Sequence, residues 1–159
     1  MLHLTIYRRT NEMTQEESTQ RRPQEAAARA TQRIQGTFAG VLGMEFTHLA
    51  PDRVEATLKV RQELKQPWGI LHGGAVMTLA DTVAGAGAYM NLARGQETVT
   101  VELKINLVGA VREGSIRAEA VPLHRGRTTS IWETRITDEN GKLVAVSLST
   151  HLVLDQKSE

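Results

Sequence analysis

The sequence predicts an α+β protein in which a curved antiparallel sheet wraps around one long central helix. Three observations support this prediction: a long apolar segment over residues 71–93, a strand-like alternation before it, and four alternating segments after it. No helical pattern separates the last four segments, so short connections must join them and neighbouring strands must be mostly antiparallel. One helix that faces one sheet is an α+β arrangement.

The strand predictions rest on hydrophobic residues at every second position, the period of a strand with one wet face. Before the long apolar segment this pattern covers residues 53–61, and a loop with Pro67 and Gly69 follows. After it, alternation predicts strands over residues 98–108, 115–123, 128–137 and 143–154. In the first of these, one face should carry Val99, Val101, Leu103, Ile105 and Leu107. Residues 138–141 read DENG and predict a turn between two strands.

The N-terminal part differs in composition from the rest. Residues 1–24 are polar, charged and poor in apolar side chains, so we expect a disordered extension before a single domain over residues 25–155. Residues 25–38 are rich in alanine and suit a helix. A thin apolar stripe on that helix would consist of Ala27, Ala30 and Ile34.

The composition restricts the possible partners. The 159 residues include 19 basic and 18 acidic side chains, and the formal net charge of +1 gives no global attraction for nucleic acid or anionic lipid. The absence of cysteine excludes disulfides, thiolate metal sites and a cysteine nucleophile, and it fits a reducing compartment. The first ten residues lack the apolar core of a secretory signal. We therefore expect a cytoplasmic protein that binds neither nucleic acid nor membranes.

The segment LHGGAVMTLADTVAGAGAYMNLA is apolar around nearly its whole circumference. Its length approaches that of a transmembrane helix, but Asp81 lies close to its middle, where a carboxylate is costly in lipid. A surface helix would carry a polar stripe, which this segment lacks. The pattern therefore favours a helix buried on most sides by a curling sheet. Its many alanines and glycines would let the strands approach closely.

A buried helix draws attention to Asp81, because an ionised carboxylate there needs partners or a chemical role. It is either a structural residue bonded to the backbone or to Thr78 and Thr82, or a catalytic one. Residues 72–74, His-Gly-Gly, lie where the loop becomes the helix. Free N–H groups and the helix dipole stabilise negative charge at such a position, as in an oxyanion hole. The same residues would also suit a tight turn with His72 as a polar cap.

The spacing of these two features suggests an oligomer. His72 and Asp81 are nine residues apart, which on a helix is about 13 Å of rise and roughly half a turn of rotation. One helix therefore cannot easily bring its own Asp81 to its own N-terminus. If both act on one carbonyl, they should come from two copies of the chain, at a homodimer interface.

The segment WGILHGGAVMTLADTVAGAGA resembles the helix signature of hotdog-fold acyl-coenzyme A thioesterases. The resemblance extends through TVTVELKINLVGAVREG to the final strand with Thr150, and it is closest to the phenylacetate-pathway and 4-hydroxybenzoyl-coenzyme A thioesterase types. It implies the hotdog fold, a sheet wrapped around one long helix. It also implies homodimers or homotetramers with active sites across the subunit interface.

Carried over by position, the resemblance implies a role for each of five residues. Asp81 matches the catalytic carboxylate, and Gly73 matches the residue whose N–H polarises the thioester carbonyl. His72 would shape the turn, Gln66 would bind the carbonyl or the attacking water, and Thr100 would face the carboxylate. The implied reaction is hydrolysis of an acyl-coenzyme A to free acid and coenzyme A, with Asp81 as general base or as nucleophile.

Coenzyme A would be part of the substrate, and no separate cofactor is expected. Its phosphates suggest Arg125, Gly126 and Arg127 as a binding site, because arginine forks suit phosphate oxygens. An ordinary solvated hairpin would also explain these residues. The histidines show no ligand spacing, so no metal is predicted. Gly85 replaces a hydroxyl residue found in some relatives, and the acyl group is expected only to be aromatic or medium-chain.

Two other functions on the same fold compete with hydrolysis. A non-catalytic acyl-coenzyme A sensor would not need Asp81, and residues 1–40 contain too little for the helix-turn-helix of DNA-binding members. A hotdog dehydratase or hydratase pairs a catalytic histidine with a carboxylate on the helix, whereas His72 is placed differently.

Overall fold

A computed structural model of the chain describes residues 15–156. Its helices are α1 (Gln15–Arg33), α2 (Phe38–Leu42) and α3 (Gly73–Met90), with a 3-10 turn at Gln62–Leu64. Its strands are β1 (Met44–Ala50), β2 (Arg53–Lys59), β3 (Gln96–Leu107), β4 (Ser115–Arg125), β5 (Thr129–Asp138) and β6 (Leu143–Asp155). The predicted strands and the long apolar helix all occur, with ends shifted by a few residues.

The strands form one sheet in the order β1-β2-β4-β5-β6-β3. All neighbouring strands in it are antiparallel, as the short connections predict. Strand β3 follows α3 in the chain but lies at the far edge of the sheet, beside β6. The two edges of the sheet are therefore β1 and β3.

Helix α3 packs on the inner face of this sheet, which confirms the α+β architecture. Its buried residues are Ala75, Val76, Leu79, Ala80, Val83, Ala84, Gly87 and Ala88. A Cβ at Gly87 would lie 2.5 Å from the ring of the fully buried Trp132 on β5, so glycine is what lets this strand approach the helix. Within residues 15–156, neither α3 nor any other helix is long and apolar enough to cross a membrane.

Helix α1 begins ten residues earlier than predicted. Residues 15–24 belong to the helix, so the predicted disordered extension is wrong over that part, and residues 1–14 lie outside the described residues. The segment is rich in Glu, Gln and Arg, which favour helices without being apolar. The predicted stripe packs as expected, with Ala27 buried in the core and Ala30 and Ile34 against it.

Strand β1 is absent from the sequence-based prediction. Its first residues alternate between buried and exposed, but the alternation ends after Thr47, and the pairing with β2 shifts register between Phe46 and His48. Two apolar residues are too few to identify a strand from its period. Helix α1 covers the free edge of β1, since Thr31 Oγ1 accepts a 2.8 Å hydrogen bond from the Phe46 N–H.

Strand β3 contains a β-bulge. Thr100 pairs with His151 of β6, and Glu102 pairs with the preceding residue, Thr150, which leaves Val101 without a partner. An extra residue in one strand interrupts its alternation. Relative to a regular strand, the side chains before the bulge therefore point to the opposite face from the one expected from the side chains after it.

The bulge overturns the predicted apolar face of β3. Leu103 lies opposite Ser149, and Thr100 lies opposite His151. Both β6 residues are buried on the inner face, and directly opposed residues point to the same side of an antiparallel pair. Thr100 therefore shares the inner face with Leu103, whereas Val99 points to the other side and is 44% exposed.

Candidate active site

The loop before α3 is held in place by backbone hydrogen bonds. The His72 N–H donates to the carbonyl of Leu64 at 2.8 Å, and the Leu71 N–H donates to the carbonyl of Val111 at 2.8 Å. These bonds tie the loop to two other parts of the chain and determine where α3 begins.

His72 is the N-cap of α3. Its Nδ1 accepts a 2.9 Å hydrogen bond from the Gly74 N–H, which satisfies one of the amides that a helix start leaves unpaired. A nitrogen that accepts carries no hydrogen, so neutral His72 has its hydrogen on Nε2. The imidazole thus shapes the turn, and the Ala75 and Val76 N–H groups donate to the His72 carbonyl at 3.0 and 3.4 Å.

Gly73 is the first residue of α3 and is half-buried. Among the described residues, nothing accepts a hydrogen bond from its N–H. A Cβ at this position would lie 2.7 Å from Cδ1 of the exposed Leu107, so even alanine would require that this leucine side chain move. The amide is open to a carbonyl oxygen, which is the geometry required of an oxyanion donor.

Gln66 lies in the loop that leads into α3. Its backbone N–H donates to the carbonyl of Ile70, and its carbonyl accepts from the Gly69 N–H, both at 2.9 Å. The half-buried side-chain amide has no hydrogen-bond partner within residues 15–156. A rigid backbone therefore presents a free amide next to the helix start.

Asp81 lies eight residues after Gly73 on α3 and is half-buried. Its Oδ1 accepts a 2.9 Å hydrogen bond from Thr100 Oγ1, which the bulge turns toward the helix. Thr78 does not hold the carboxylate, because its hydroxyl donates to the carbonyl of Gly74. In the described part of the chain, no three His, Asp or Glu side chains are grouped so that they could hold a metal ion.

His151 lies beside this pair, and the sequence gives no signal for it. The ring is fully buried, with Nδ1 3.4 Å from Thr100 Oγ1 and Nε2 3.0 Å from Ser149 Oγ. Burial lowers the pKa of His151 below its ordinary value of 6.5, and the charge of Asp81 opposes this shift. Only the pairing of β3 with β6 brings His151 next to the carboxylate, and hydrophobic periodicity does not predict strand pairing.

The five residues predicted for catalysis form two groups within one chain. Gln66, His72 and Gly73 lie at the start of α3, whereas Asp81 and Thr100 lie further along the helix. The helix rises about 12 Å between Gly73 and Asp81. A single chain therefore does not bring its carboxylate to its own open amide.

The residues predicted to bind phosphate lie in the hairpin between β4 and β5. Arg125 is exposed, and its Nη1 donates a 3.2 Å hydrogen bond to Oδ1 of Asn91 at the end of α3. The Gly126 N–H donates to the carbonyl of Thr129 at 2.8 Å and closes the turn. Arg127 is exposed and forms no ion pair within the described residues.

The hairpin lies in the same cross-strand row as Thr100, the residue that contacts the Asp81 carboxylate. Arg125 pairs with Ser130, Ser130 pairs with His151, and His151 pairs with Thr100, in one row across four strands. Neighbouring strands lie about 4.8 Å apart, so about 14 Å separates Arg125 from Thr100 across the sheet.

Comparison with known proteins gives consistent matches. The model of the thioesterase superfamily matches residues 69–145. The 1,4-dihydroxy-2-naphthoyl-CoA hydrolase of Escherichia coli (strain K12) is 37% identical over 120 residues, 76% of this chain and 88% of that protein. The proofreading thioesterase EntH of Cronobacter turicensis is 40% identical over 116 residues, 72% of this chain and 85% of that protein. The crystal structure of a Haemophilus influenzae thioesterase matches with a TM-score of 0.78 at 31% identity, covering 82% of this chain and 91% of that one.

Proposed function

The chain belongs to the thioesterase superfamily and is an acyl-coenzyme A thioesterase with the hotdog fold, and we propose that Asp81 is its catalytic carboxylate. The observation that carries this proposal is the 2.9 Å hydrogen bond from Thr100 Oγ1 to the half-buried Asp81, in the middle of an apolar helix. A carboxylate in such surroundings is costly unless it has partners or a chemical role. A hydroxyl donor stabilises the ionised form, which is the form that either proposed mechanism requires.

Hydrolysis of a thioester needs an attack on the carbonyl carbon and a donor for the oxygen that becomes negative. The open N–H of Gly73 supplies that donor, and His72 holds the turn that presents it. Asp81 removes a proton from an attacking water, or it attacks the carbon itself and forms a mixed anhydride that water then cleaves. In both routes the C–S bond breaks and coenzyme A leaves as the thiolate, which takes up the proton that Asp81 removed from water in the first route and a proton from solvent in the second. The free amide of Gln66 binds the carbonyl oxygen or the water.

The two groups of residues act on one thioester across a homodimer interface. In an interface with two-fold symmetry, residue i of one copy meets residue j of the other, and j meets i. Two antiparallel α3 helices centred on Met77 would place Asp81 opposite the partner's Gly73, because position 77 is midway between positions 73 and 81. Met77 is 42% exposed on a helix whose adjacent Val76 is buried, which supports a contact at this point.

The free edge of β3 also supports this interface. Within residues 15–156, β3 pairs with β6 alone, and the other edge of β3 is uncovered. The exposed Val99, Val101 (58% exposed) and Leu107 belong to this strand, and the exposed Val108 follows it directly. An uncovered apolar edge is a template for pairing with another chain. Pairing of two such dimers would give a homotetramer.

Coenzyme A is bound through its phosphates at the hairpin between β4 and β5. Arg125 and Arg127 present exposed guanidinium groups there, and Gly126 forms the turn between them. Guanidinium groups bind phosphate oxygens through paired hydrogen bonds, and the chain has little net charge to supply another attraction. The acyl group is aromatic or medium-chain. An aromatic group is favoured by the name of the Escherichia coli relative, a naphthoyl-CoA hydrolase.

Thiol release from a panel of aromatic and straight-chain acyl-coenzyme A esters tests this function. The chain has no cysteine, so a thiol-reactive dye detects released coenzyme A alone. Asp81→Ala and the near-isosteric Asp81→Asn should lose about 10²–10⁴ in kcat, as expected for a general base or nucleophile, while the far-UV circular dichroism is retained. Asp52→Asn, in the exposed turn between β1 and β2, is the matched control and should turn over like wild type.

Two outcomes would contradict the proposal. Wild-type turnover in both Asp81 variants would remove Asp81 as the catalytic group. Tight binding of acyl-coenzyme A by wild type without turnover of any ester would instead indicate a non-catalytic sensor.

A further inference from the structure

The geometry points to His151 as a positioning residue, which holds the Thr100 hydroxyl on the Asp81 carboxylate through a one-way chain of hydrogen bonds. The inference rests on the proposed catalytic role of Asp81. His151 itself is buried beneath Thr100 and does not reach the substrate, so it would act through the hydroxyl.

Three contacts form this chain. Ser149 Oγ lies 3.0 Å from His151 Nε2, and His151 Nδ1 lies 3.4 Å from Thr100 Oγ1. Thr100 Oγ1 in turn lies 2.9 Å from Asp81 Oδ1. The chain therefore runs from the inner face of β6, through β3, to the helix.

The donor in each contact follows from the chemistry of the groups, starting at the carboxylate. An ionised carboxylate only accepts, so Thr100 donates its single hydroxyl hydrogen to Asp81. Thr100 Oγ1 can then only accept from His151, which places the ring hydrogen on Nδ1. A neutral imidazole with its hydrogen on Nδ1 accepts at Nε2, so Ser149 donates there. All three donors point toward Asp81, and hydrogen bonds in such a chain polarise one another.

The surroundings of His151 favour this neutral form. The ring is fully buried, and burial lowers its pKa below the ordinary value of 6.5 against the opposing charge of Asp81. The groups that face it from neighbouring strands are Thr100 of β3 and Ser130 of β5, and Ser149 faces it from its own strand; all three are uncharged. The charged group next to the ring is Asp81, which the ring contacts through the Thr100 hydroxyl.

Helix α3 does not replace this support. Gly85 lies one turn after Asp81, and a Cβ there would come within 3.9 Å of His151 Cε1. Position 85 has no side chain, so α3 offers no hydroxyl at this turn that could donate to the Asp81 carboxylate. Among the described residues, Thr100 is therefore the side chain that donates to Asp81, and His151 is what holds it there.

Two amide substitutions separate positioning from packing. In His151→Asn the side-chain amide lies near the position of Nδ1 and keeps a donor for Thr100. In His151→Gln the amide reaches the position of Nε2 and keeps a partner for Ser149 alone. Loss of a hydrogen bond in a charged network typically costs about 10–10² in rate, so we expect that loss of kcat in His151→Gln and less than about threefold in His151→Asn. KM should change less than about threefold in both, because the ring does not touch the substrate.

The pH profile of kcat gives a second readout that packing alone would not change. In His151→Gln the acid limb should move to higher pH, because the ionised carboxylate has lost its supported donor. In His151→Asn the limb should stay where it is in wild type. Equal losses of kcat in both variants with an unmoved acid limb would overturn the inference.

A double-mutant cycle keeps the test valid if either amide variant folds poorly. Thr100→Val removes the hydroxyl from an edge strand, and adding His151→Gln to it should lower kcat no further if both act through the same contact. Additive losses would overturn the inference. Asp81→Asn distinguishes failure of the proposed function from failure of this inference. If Asp81→Asn retains wild-type turnover, the proposed function fails. If Asp81→Asn is inactive but His151→Gln is fully active, the inference alone is rejected.

Discussion

Thr100 of β3 donates a 2.9 Å hydrogen bond to Asp81 of α3, and this contact depends on the bulge at Val101. In a regular strand, Leu103 on the inner face would be accompanied by Val101 and Val99, and Thr100 would point away from the helix. The bulge adds one residue and turns the Thr100 side chain inward. The candidate site thus lies beside a β-bulge. Bulges often occur next to active sites, where they redirect a side chain.

Gly87→Ala should destabilise the fold. The added Cβ would lie 2.5 Å from the six-membered ring of Trp132, which is fully buried and has no room to move. Overpacking of this kind typically costs about 1–3 kcal/mol in the free energy of unfolding. Urea unfolding followed by circular dichroism measures the change.

The matched control for this prediction is Gly85→Ala, two residues earlier on the same helix. Its Cβ would meet His151 Cε1 at 3.9 Å, an ordinary contact. Alanine is favoured over glycine in a helix by about 1 kcal/mol, so the control should be neutral or stabilised. A Gly87→Ala variant as stable as the control would contradict the close approach of Trp132.

Gly73→Ala should lower kcat. The new Cβ would stand beside the open amide, where the substrate carbonyl has to approach, and it would crowd Cδ1 of the exposed Leu107 at 2.7 Å. Loss of one oxyanion donor typically costs about 10²–10³ in kcat. Adding Leu107→Ala removes the clashing methyl group and should restore part of the rate. Alanine keeps the N–H, so an unchanged kcat in both Gly73→Ala and the bulkier Gly73→Val would contradict the assignment of this amide as the oxyanion donor.

The central helix and the strands that follow it were predictable because their patterns are long. Alternation over ten or more residues identifies strands such as β5 and β6, and an apolar segment without a polar stripe identifies α3. The same reasoning missed β1, whose alternation ends after Thr47, and the first ten residues of α1, which favour a helix by propensity and not by apolar spacing.

From the residue pattern alone, the site was predictable only where its residues are neighbours in the chain, whereas Thr100 came from the family resemblance and does donate to Asp81. The turn with His72 and Gly73 and the carboxylate of Asp81 stand on one continuous segment, so the sequence alone suggested both. The neighbour His151 depends on the pairing of β3 with β6, two strands that are far apart in the chain. Local periodicity carries no information on such a pairing, and it misassigned the face of β3 at the bulge.

Glu55 should make the stability of the fold depend on acid pH. Glu55 is 8% exposed, with Oε1 2.8 Å from Arg117 Nη2 and 3.1 Å from Arg53 Nη1. Burial raises the pKa of Glu55, but the hydrogen bond and charge of Arg117, with the charges of Arg53 and His48, outweigh burial and leave the pKa below the ordinary value of 4.5. A carboxylate with a lowered folded-state pKa stabilises the fold above the unfolded pKa, and that stabilisation is lost as the pH falls through the folded pKa.

Glu55→Gln should therefore lower the free energy of unfolding by roughly 1–3 kcal/mol at neutral pH, and the difference should shrink as the pH falls below about 4.5. Urea unfolding at several pH values measures it. Glu133→Gln is the control, because Glu133 lies 4.0 Å from the exposed Arg135 and such a surface pair contributes about 0–1 kcal/mol. A loss in Glu55→Gln that is the same at acid and neutral pH would refute the electrostatic explanation.

Two inactive variants should restore each other's activity if the site spans two chains. Gly73→Val keeps the N–H but places a branched side chain beside it that blocks the approach of the substrate carbonyl, and Asp81→Ala removes the carboxylate, so each homodimer should be inactive. In a mixed dimer, one site combines both defects, and the other combines an intact Asp81 with an intact Gly73 of the partner subunit. Random pairing after joint refolding should then recover about a quarter of wild-type turnover. Asp81→Ala mixed with Thr100→Val should recover nothing beyond the activity of Thr100→Val itself, because both defects fall on the same side of the site. If the first mixture stays inactive while the two chains do form mixed dimers, the carboxylate and the amide do not meet across the interface.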